Sequence, residues 1–474
     1  MANAPKYTGA SAAFGTLPVL KEERELGFWD HTWINVGLAV ATWAFLIGGS
    51  TALVVGAHDG LYAIIIGNVI SISIMAVSVC LAPGKYGIEH YTILRSIFGA
   101  LGVVLLVACL LVVFGIGWSS VLSIMFGRAL STVVNGMTGA QIGDNDFPVT
   151  AFAVLSIFIS WLLLWKGPTA VKWLNRIVGP GKIILCVGLI FLIFGTKTWE
   201  EINTAPPLAP FADPRVNFMI AVEFNLAAGF GYWPVLGNIA RFTRTPRAAL
   251  WPNMLGVFAA AVIGEVVGLF AALSLGSYDP TAWMIPLGGV IAGTVALLFI
   301  GIANITAMVS IFYGICLAMR QAGGKYFESI PWGFLTGALF VPVAVISFFP
   351  GQVYDNFFIF VAWTAVAFAP LSGVAFVDYL ILRKGRINAR SLFCDDKNSE
   401  YRFWGGVNPI SFLSLIGGAL VYWALFNPQT LDAHGPFIWI SASIPACIVA
   451  GLLHYVLTKA VAIPSGRGGY PPSR

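Results

Sequence analysis

The sequence predicts an all-α polytopic membrane protein of twelve transmembrane helices, built from two five-helix halves of opposite orientation. Three observations carry that expectation. Of the 474 residues 58% are hydrophobic and only 10% charged, where a soluble domain carries about 25% charged residues. The apolar residues gather into runs of the length a bilayer requires, about 20 residues each. The cationic residues then sort to alternate ends of those runs, as the positive-inside bias demands.

In order, the runs are 30–56, 60–83, 98–125, 147–165, 173–196, 216–240, 250–275, 287–319, 331–349, 355–382, 408–427 and 436–458. With the N-terminus placed inside, the outward loops hold only Arg128, Lys197 and Arg215. The remaining 23 of the 26 Lys and Arg are assigned to the inner side, among them Arg241, Arg244 and Arg247 after span 6 and Arg383, Lys384, Arg386 and Arg390 after span 10. This pattern predicts a multi-pass protein of the cell membrane with both termini cytoplasmic. The first 29 residues are polar and mixed in charge, so a cleavable signal peptide is not expected. Residues 1–29 and 460–474 read as cytoplasmic tails flanking one membrane domain, 30–459. The longest polar connection, 383–407, is too short to fold alone. The six cysteines lack CxxC spacing and fall mostly in apolar runs, where Cys behaves as a small hydrophobe. Neither a disulfide framework nor a metal cluster is expected.

The spacing of the runs suggests a repeat. Spans 1 and 6 begin about 186 residues apart, spans 3 and 8 about 189, and spans 5 and 10 about 182. Five spans are an odd number, so a second repeat (216–382) would be inverted relative to the first (30–196), leaving two extra helices over 408–458. Secondary transporters commonly have this architecture, with the site at mid-membrane where helices break. A break is visible in span 6. In AAGFGYWPVLGNIARFTRT (227–245), Gly229, Gly231, Pro234 and Gly237 interrupt an apolar run among Phe230, Tyr232 and Trp233. Span 1 holds the corresponding glycines, Gly37, Gly48 and Gly49. Unsatisfied backbone groups in lipid cost several kcal/mol each, so such breaks are expected to line a protein-covered cavity. Freed carbonyls there can meet a cation, and freed N–H groups a polar solute. Acids at bilayer depth are functional candidates by default. Glu223 in span 6 and Glu265 in span 7 are therefore proton-coupling candidates.

Several segments resemble one family. FVDYLILRKGRINARSLF (376–393) followed by YRFWGGVNPISF (401–412) is similar to the junction of helices 10 and 11 in the nucleobase:cation symporter-1 family, the cytosine, purine, uracil, allantoin and hydantoin permeases. GLAVATWAFLIGG (37–49) resembles that family's helix 1. GNIARFTRTPRAAL (237–250) resembles the segment after helix 6, closest in spacing to cytosine permeases. The resemblance implies a LeuT-type fold, with broken helices 1 and 6, and a flat heterocycle held between helices 1, 3, 6 and 8.

Carried over residue by residue, the hydantoin branch's helix 3 tryptophan falls on Val113 and its amide on Gly117, with Trp118 one position further. The helix 6 tryptophan falls on Phe230, or on Gly229 without a gap, and the helix 8 asparagine falls on Ser310. The hydantoin pattern is therefore not retained, and stacking passes to Phe230 with Trp118 or Trp233. Ala41 in span 1 completes the substrate-binding candidates. The family's sodium ligands fall on the carbonyls of Gly37 and Val40 and, on helix 8, on Asn304 and Ile305, with Thr306 one further. A sodium ion is the only cofactor-like ligand implied, and a proton is the alternative driver.

These readings lead to a secondary transporter that imports a nucleobase or related planar nitrogen heterocycle with a cation by alternating access. The alternative is a carrier of another small solute, such as an amino acid, on the same fold. An enzyme is not expected: the chain has no HExxH, G-x-S-x-G or P-loop and only five histidines, with no convergent acid–base group. The two-half plan disfavours a channel built from a symmetric ring. Expected partners are the solute, the coupling cation and lipid, not nucleic acid.

Overall fold

A helix stands at every predicted span in the computed structural model, which describes residues 17–39, 42–166, 168–323, 327, 329–394 and 399–471. Among the described residues nine helices are long and apolar enough to cross a membrane. The pair Phe28–Ala39 and Thr42–Val54, bent by 56°, makes a tenth span, and Trp332–Ile346 and Pro409–Leu425 are shorter apolar helices. We label the spans α1a (Phe28–Ala39) and α1b (Thr42–Val54), α2 (Ala57–Tyr86), α3 (Ala100–Thr138), α4 (Phe147–Trp165), α5 (Pro168–Thr196), α6a (Pro214–Phe230) and α6b (Trp233–Ala240). They continue as α7 (Pro246–Leu275), α8 (Met284–Gly323), α9 (Trp332–Ile346), α10 (Phe357–Leu382), α11 (Pro409–Leu425) and α12 (Ser443–Ala462).

The packing reproduces the two-half plan. Helices of the two halves pack on one another, α7 along α1b and α6a along α2. Helices α3 and α8 pack across the halves, and α10, α11 and α12 form a group of their own. Small residues make the close approaches, as expected where lipid supplies no hydrophobic drive between helices. A Cβ on Gly48 would lie 1.8 Å from the Glu265 carbonyl oxygen of α7, and one on Gly229 would lie 1.9 Å from Ser71 Oγ of α2. Gly49 and Gly237 are crowded too: a Cβ would lie 2.4 Å from the Tyr278 carbonyl oxygen and 2.6 Å from the His90 side chain, respectively.

This corrects the reading of those glycines as breakers. Helix 1 breaks between Ala39 and Thr42, ahead of Gly48 and Gly49, and helix 6 breaks at Gly231–Tyr232, after Gly229. Gly48, Gly49, Gly229 and Gly237 are contact positions between helices. Gly48→Ala is accordingly expected to destabilise the protein by about 1–3 kcal/mol, the usual cost of overpacking. The obstacle is backbone, which cannot swing aside. Thermal unfolding of the purified protein checks it, and an unchanged melting temperature would show that α1b and α7 can separate without loss.

The cytoplasmic tail predicted at 460–474 is folded back where it is described. Arg383 donates to the Gly468 carbonyl at 2.7 Å, and Tyr470 Oη donates to Asp378 Oδ1 at 2.7 Å. The segment thereby covers the connection that follows α10.

Candidate functional site

The two helix breaks meet. The chain leaves α6a at Phe230. Gly231 N–H still bonds the carbonyls of Ala227 and Ala228 at 3.0 and 3.1 Å, and α6b restarts at Trp233–Pro234. Proline suits a first helical turn, where its missing N–H needs no partner. Between the halves, Tyr232 turns toward helix 1. Its hydroxyl donates to the Ala39 carbonyl at 3.5 Å, and its ring lies 4.9 Å from that of Trp43, the second residue of α1b.

A third ring comes from α3. Trp118 lies edge-on to Trp43 at 5.4 Å and to Phe360 of α10 at 5.2 Å. It packs beside the helix 6 break: a Cβ on Gly231 would meet Trp118 Cζ2 in ordinary contact at 3.5 Å. Trp43, Tyr232 and Trp118 thus wall one place with aromatic faces and edges. Gly231 and Trp43 keep partial exposure there, although each lies well inside its span. Trp118 Nε1 is buried, and among the described residues it has no hydrogen-bond partner. A buried donor left unpaired costs roughly 1–3 kcal/mol, so an acceptor arriving at this ring would recover that energy.

The other carried-over positions point elsewhere. Phe230 is fully buried in the core. Trp233 is buried too, stacked on Phe368 at 5.8 Å with its edge toward His90 at 5.2 Å. Successive helical residues diverge by about 100°, so Tyr232 and Trp233 cannot face the same wall. Tyr232 is the ring that reaches helix 1. Gly117 backs onto Phe360, whose Cε2 would lie 2.4 Å from a Cβ. Ser310 Oγ donates to the Thr306 carbonyl of its own helix at 2.9 Å. Val113 is 57% exposed on the outer side of α3. A π-helical stretch, Val107–Val112, precedes it. Each π turn takes an extra residue and rotates everything downstream, which a gapless comparison of helix 3 misses. Val40 and Ala41 lie outside the described residues.

The cation candidates are engaged by the protein itself. The Gly37 carbonyl accepts from Lys182 Nζ at 2.7 Å. Asn304 Oδ1 accepts from Thr42 Oγ1 at 2.5 Å, and Thr306 Oγ1 donates to the Ala303 carbonyl at 2.6 Å. Lys182 corrects the charge inventory. Counted with the cytoplasmic cations, it lies in the middle of α5, buried with 3% of its surface exposed. A lone Lys in GKIILCVGLIFLIF was the available signal, because charges at bilayer depth are rare.

Both acids have protein donors. Glu223 Oε2 accepts from the backbone N–H groups of Ala442 and Ser443 at 2.9 and 3.2 Å, and Oε1 accepts from Ser443 Oγ. It caps the N-terminus of α12, where a negative charge and spare acceptors are favourable. Arg215 instead pairs with Asp213 at 3.0 Å. Glu265 Oε2 accepts from Asn68 Nδ2 of α2 at 2.5 Å, joining α7 to α2 behind α1b.

Comparison with known proteins agrees with this fold. Residues 18–441 match the family described as permeases for cytosine/purines, uracil, thiamine and allantoin. The chain is 21% identical over 432 residues to the purine-uracil permease NCS1 of Arabidopsis thaliana, covering 85% of this chain and 69% of that protein. It is 24% identical over 421 residues to the allantoin permease of Bacillus subtilis, covering 82% and 81%. Among solved structures it is similar to Mhp1, a nucleobase-cation-symport-1 family transporter in a closed conformation with bromovinylhydantoin bound. The TM-score is 0.76 at 17% identity, over 95% of each chain. With its LeuT-type fold and a match over most of its length, the chain belongs to the cytosine/purine, uracil, thiamine and allantoin permease family, the nucleobase:cation symporter-1 transporters, and is not an enzyme.

Proposed function

We propose that the protein imports a nucleobase or related small planar nitrogen heterocycle across the cell membrane together with a cation, by alternating access at the paired helix breaks, with both termini cytoplasmic. The observation that carries this reading is the wall of Trp43, Trp118 and Tyr232 around the break, with the unpaired Trp118 Nε1 among them. Flat π faces suit a flat ring, and a lone N–H suits a ring carbonyl or nitrogen. The backbone of Gly231 borders the same place. An amino acid would need free amides at a half-helix N-terminus for its carboxylate. At α6b Pro234 has no N–H, Tyr232 N–H bonds the Gly229 carbonyl at 3.4 Å, and Val235 N–H bonds the Tyr232 carbonyl at 3.1 Å.

The check is equilibrium binding to the purified protein, read by tryptophan fluorescence, with cytosine, uracil, adenine, allantoin and hydantoin against a set of amino acids. At least one heterocycle is expected to quench saturably and no amino acid to compete. Saturable binding of amino acids alone would overturn the reading.

A further inference from the structure

We infer that the ammonium of Lys182 stands where the coupling sodium ion of this family would bind, so that this site does not take sodium. The inference rests on the reading of the protein as a cation-coupled carrier and says which cation its residues exclude.

The residues do not fit sodium. A hard cation takes several oxygen ligands at once. The resemblance offers the carbonyls of Gly37 and Val40 and side chains at Asn304, Ile305 and Thr306. Of these, the Gly37 carbonyl faces Lys182 Nζ at 2.7 Å, and Asn304 Oδ1 accepts the Thr42 hydroxyl at 2.5 Å. Ile305 has no side-chain oxygen, and the Thr306 hydroxyl is turned to the Ala303 carbonyl. A sodium ion sharing the Gly37 carbonyl would also sit within about 4 Å of the ammonium. At an effective dielectric of 20, repulsion at that distance weakens binding roughly a thousandfold.

The surroundings explain what the lysine does instead. The cavity beside it is lined by Thr42, Phe45, Leu185, Phe299 and Ile300, from α1b, α5 itself and α8. The Cys186 thiol is the nearest titratable group on its own helix. From α7, which also packs against α5, Glu265 is bonded to Asn68. Among the described residues no carboxylate pairs with Lys182 from α1, α4, α7 or α8. Its hydrogen bond to the Gly37 carbonyl ties α5 to the last turn of α1a, at the break, where Gly37 and Gly179 let the two helices touch: a Cβ on Gly37 would lie 3.6 Å from Gly179 Cα. A charge-assisted bond is about twice as strong as a neutral one. The tethered ammonium thus takes the helix 1 carbonyl that a sodium ion would share with helix 8.

Two measurements test the proposal on the full-length protein. The first is thermal unfolding in graded NaCl against choline chloride at constant ionic strength. No sodium-specific shift is expected, and a saturable sodium-specific stabilisation overturns the proposal. The second is heterocycle uptake into proteoliposomes with sodium replaced by choline on both sides. Equal uptake with and without sodium is expected, and a sodium requirement overturns the inference. If no heterocycle is carried under either condition, the transport reading fails while the NaCl titration still reports on the cation site.

Discussion

Trp118→Ala is expected to weaken heterocycle binding roughly 5- to 150-fold while leaving the protein folded. The range is the free energy of a base on an aromatic face, about 1–3 kcal/mol, converted at about 1.4 kcal/mol per tenfold. The ring packs beside Gly231 at the helix 6 break and against Trp43 at the helix 1 break, so it belongs to both breaks at once. Trp118→Phe separates the two contributions of the residue. It keeps a π face and loses the Nε1–H, so it should fall between wild type and Ala. Binding titrations on the purified variants, with gel filtration to confirm folding, provide the measurement. Equal affinity in Trp118→Ala and wild type would place the solute elsewhere. Trp233→Phe is the useful contrast, because Trp233 is stacked on Phe368 in the core and faces away from this wall.

The second large effect is on stability. Asp378→Ala is expected to destabilise the protein by about 3–5 kcal/mol, the cost of leaving a buried charge without its partner. Asp378 and Arg383 are both almost wholly buried, 2.6 Å apart. Asp378 also takes His454 Nε2 at 3.1 Å from α12 and the Tyr470 hydroxyl from the C-terminal segment. Arg383 continues to the carbonyls of Gly468 and Ser96. One carboxylate therefore ties α10, α12, the C-terminal segment and the end of the short helix His90–Phe98 together. Removing it strands the guanidinium, whereas replacing both charges by apolar residues should cost far less. Melting temperatures of Asp378→Ala, Arg383→Met and the double variant test this. A double variant no more stable than Asp378→Ala would mean that the pair is not the source of the penalty.

The helices were legible because hydropathy and charge sorting are properties of the chain itself; a helix stands at each predicted run, although span 3 continues to Thr138, past its predicted end at 125, and span 12 starts at Ser443, after its predicted start at 436. The break in span 6 was legible for the same reason, since few spans tolerate Gly, Gly, Pro and Gly in close succession. What each glycine does was not. A glycine at a break and one at a helix contact look alike until the neighbour is known, and Gly48 and Gly229 owe their identity to Glu265 and Ser71, far away in sequence. The site rings were half legible. Trp118 came from the family comparison, whereas Tyr232 and Trp43 depend on which way the chain turns after Phe230 and Ala39. Glu223 stood out as an acid in a span, but its use became visible only with the N-terminus of α12 beside it. Lys182 was hidden by its own type. Sorting lysines to the cytoplasm is sound for loops and fails for the one that faces a carbonyl in mid-span.

The most direct test of the account is uptake of radiolabelled cytosine, uracil, adenine, allantoin and hydantoin into proteoliposomes under imposed proton or sodium gradients, with wild type beside Trp118→Ala. The account predicts that at least one member accumulates above equilibrium under a gradient and that accumulation collapses in Trp118→Ala. No concentrative uptake of any member under either gradient, or undiminished uptake in Trp118→Ala, would contradict it.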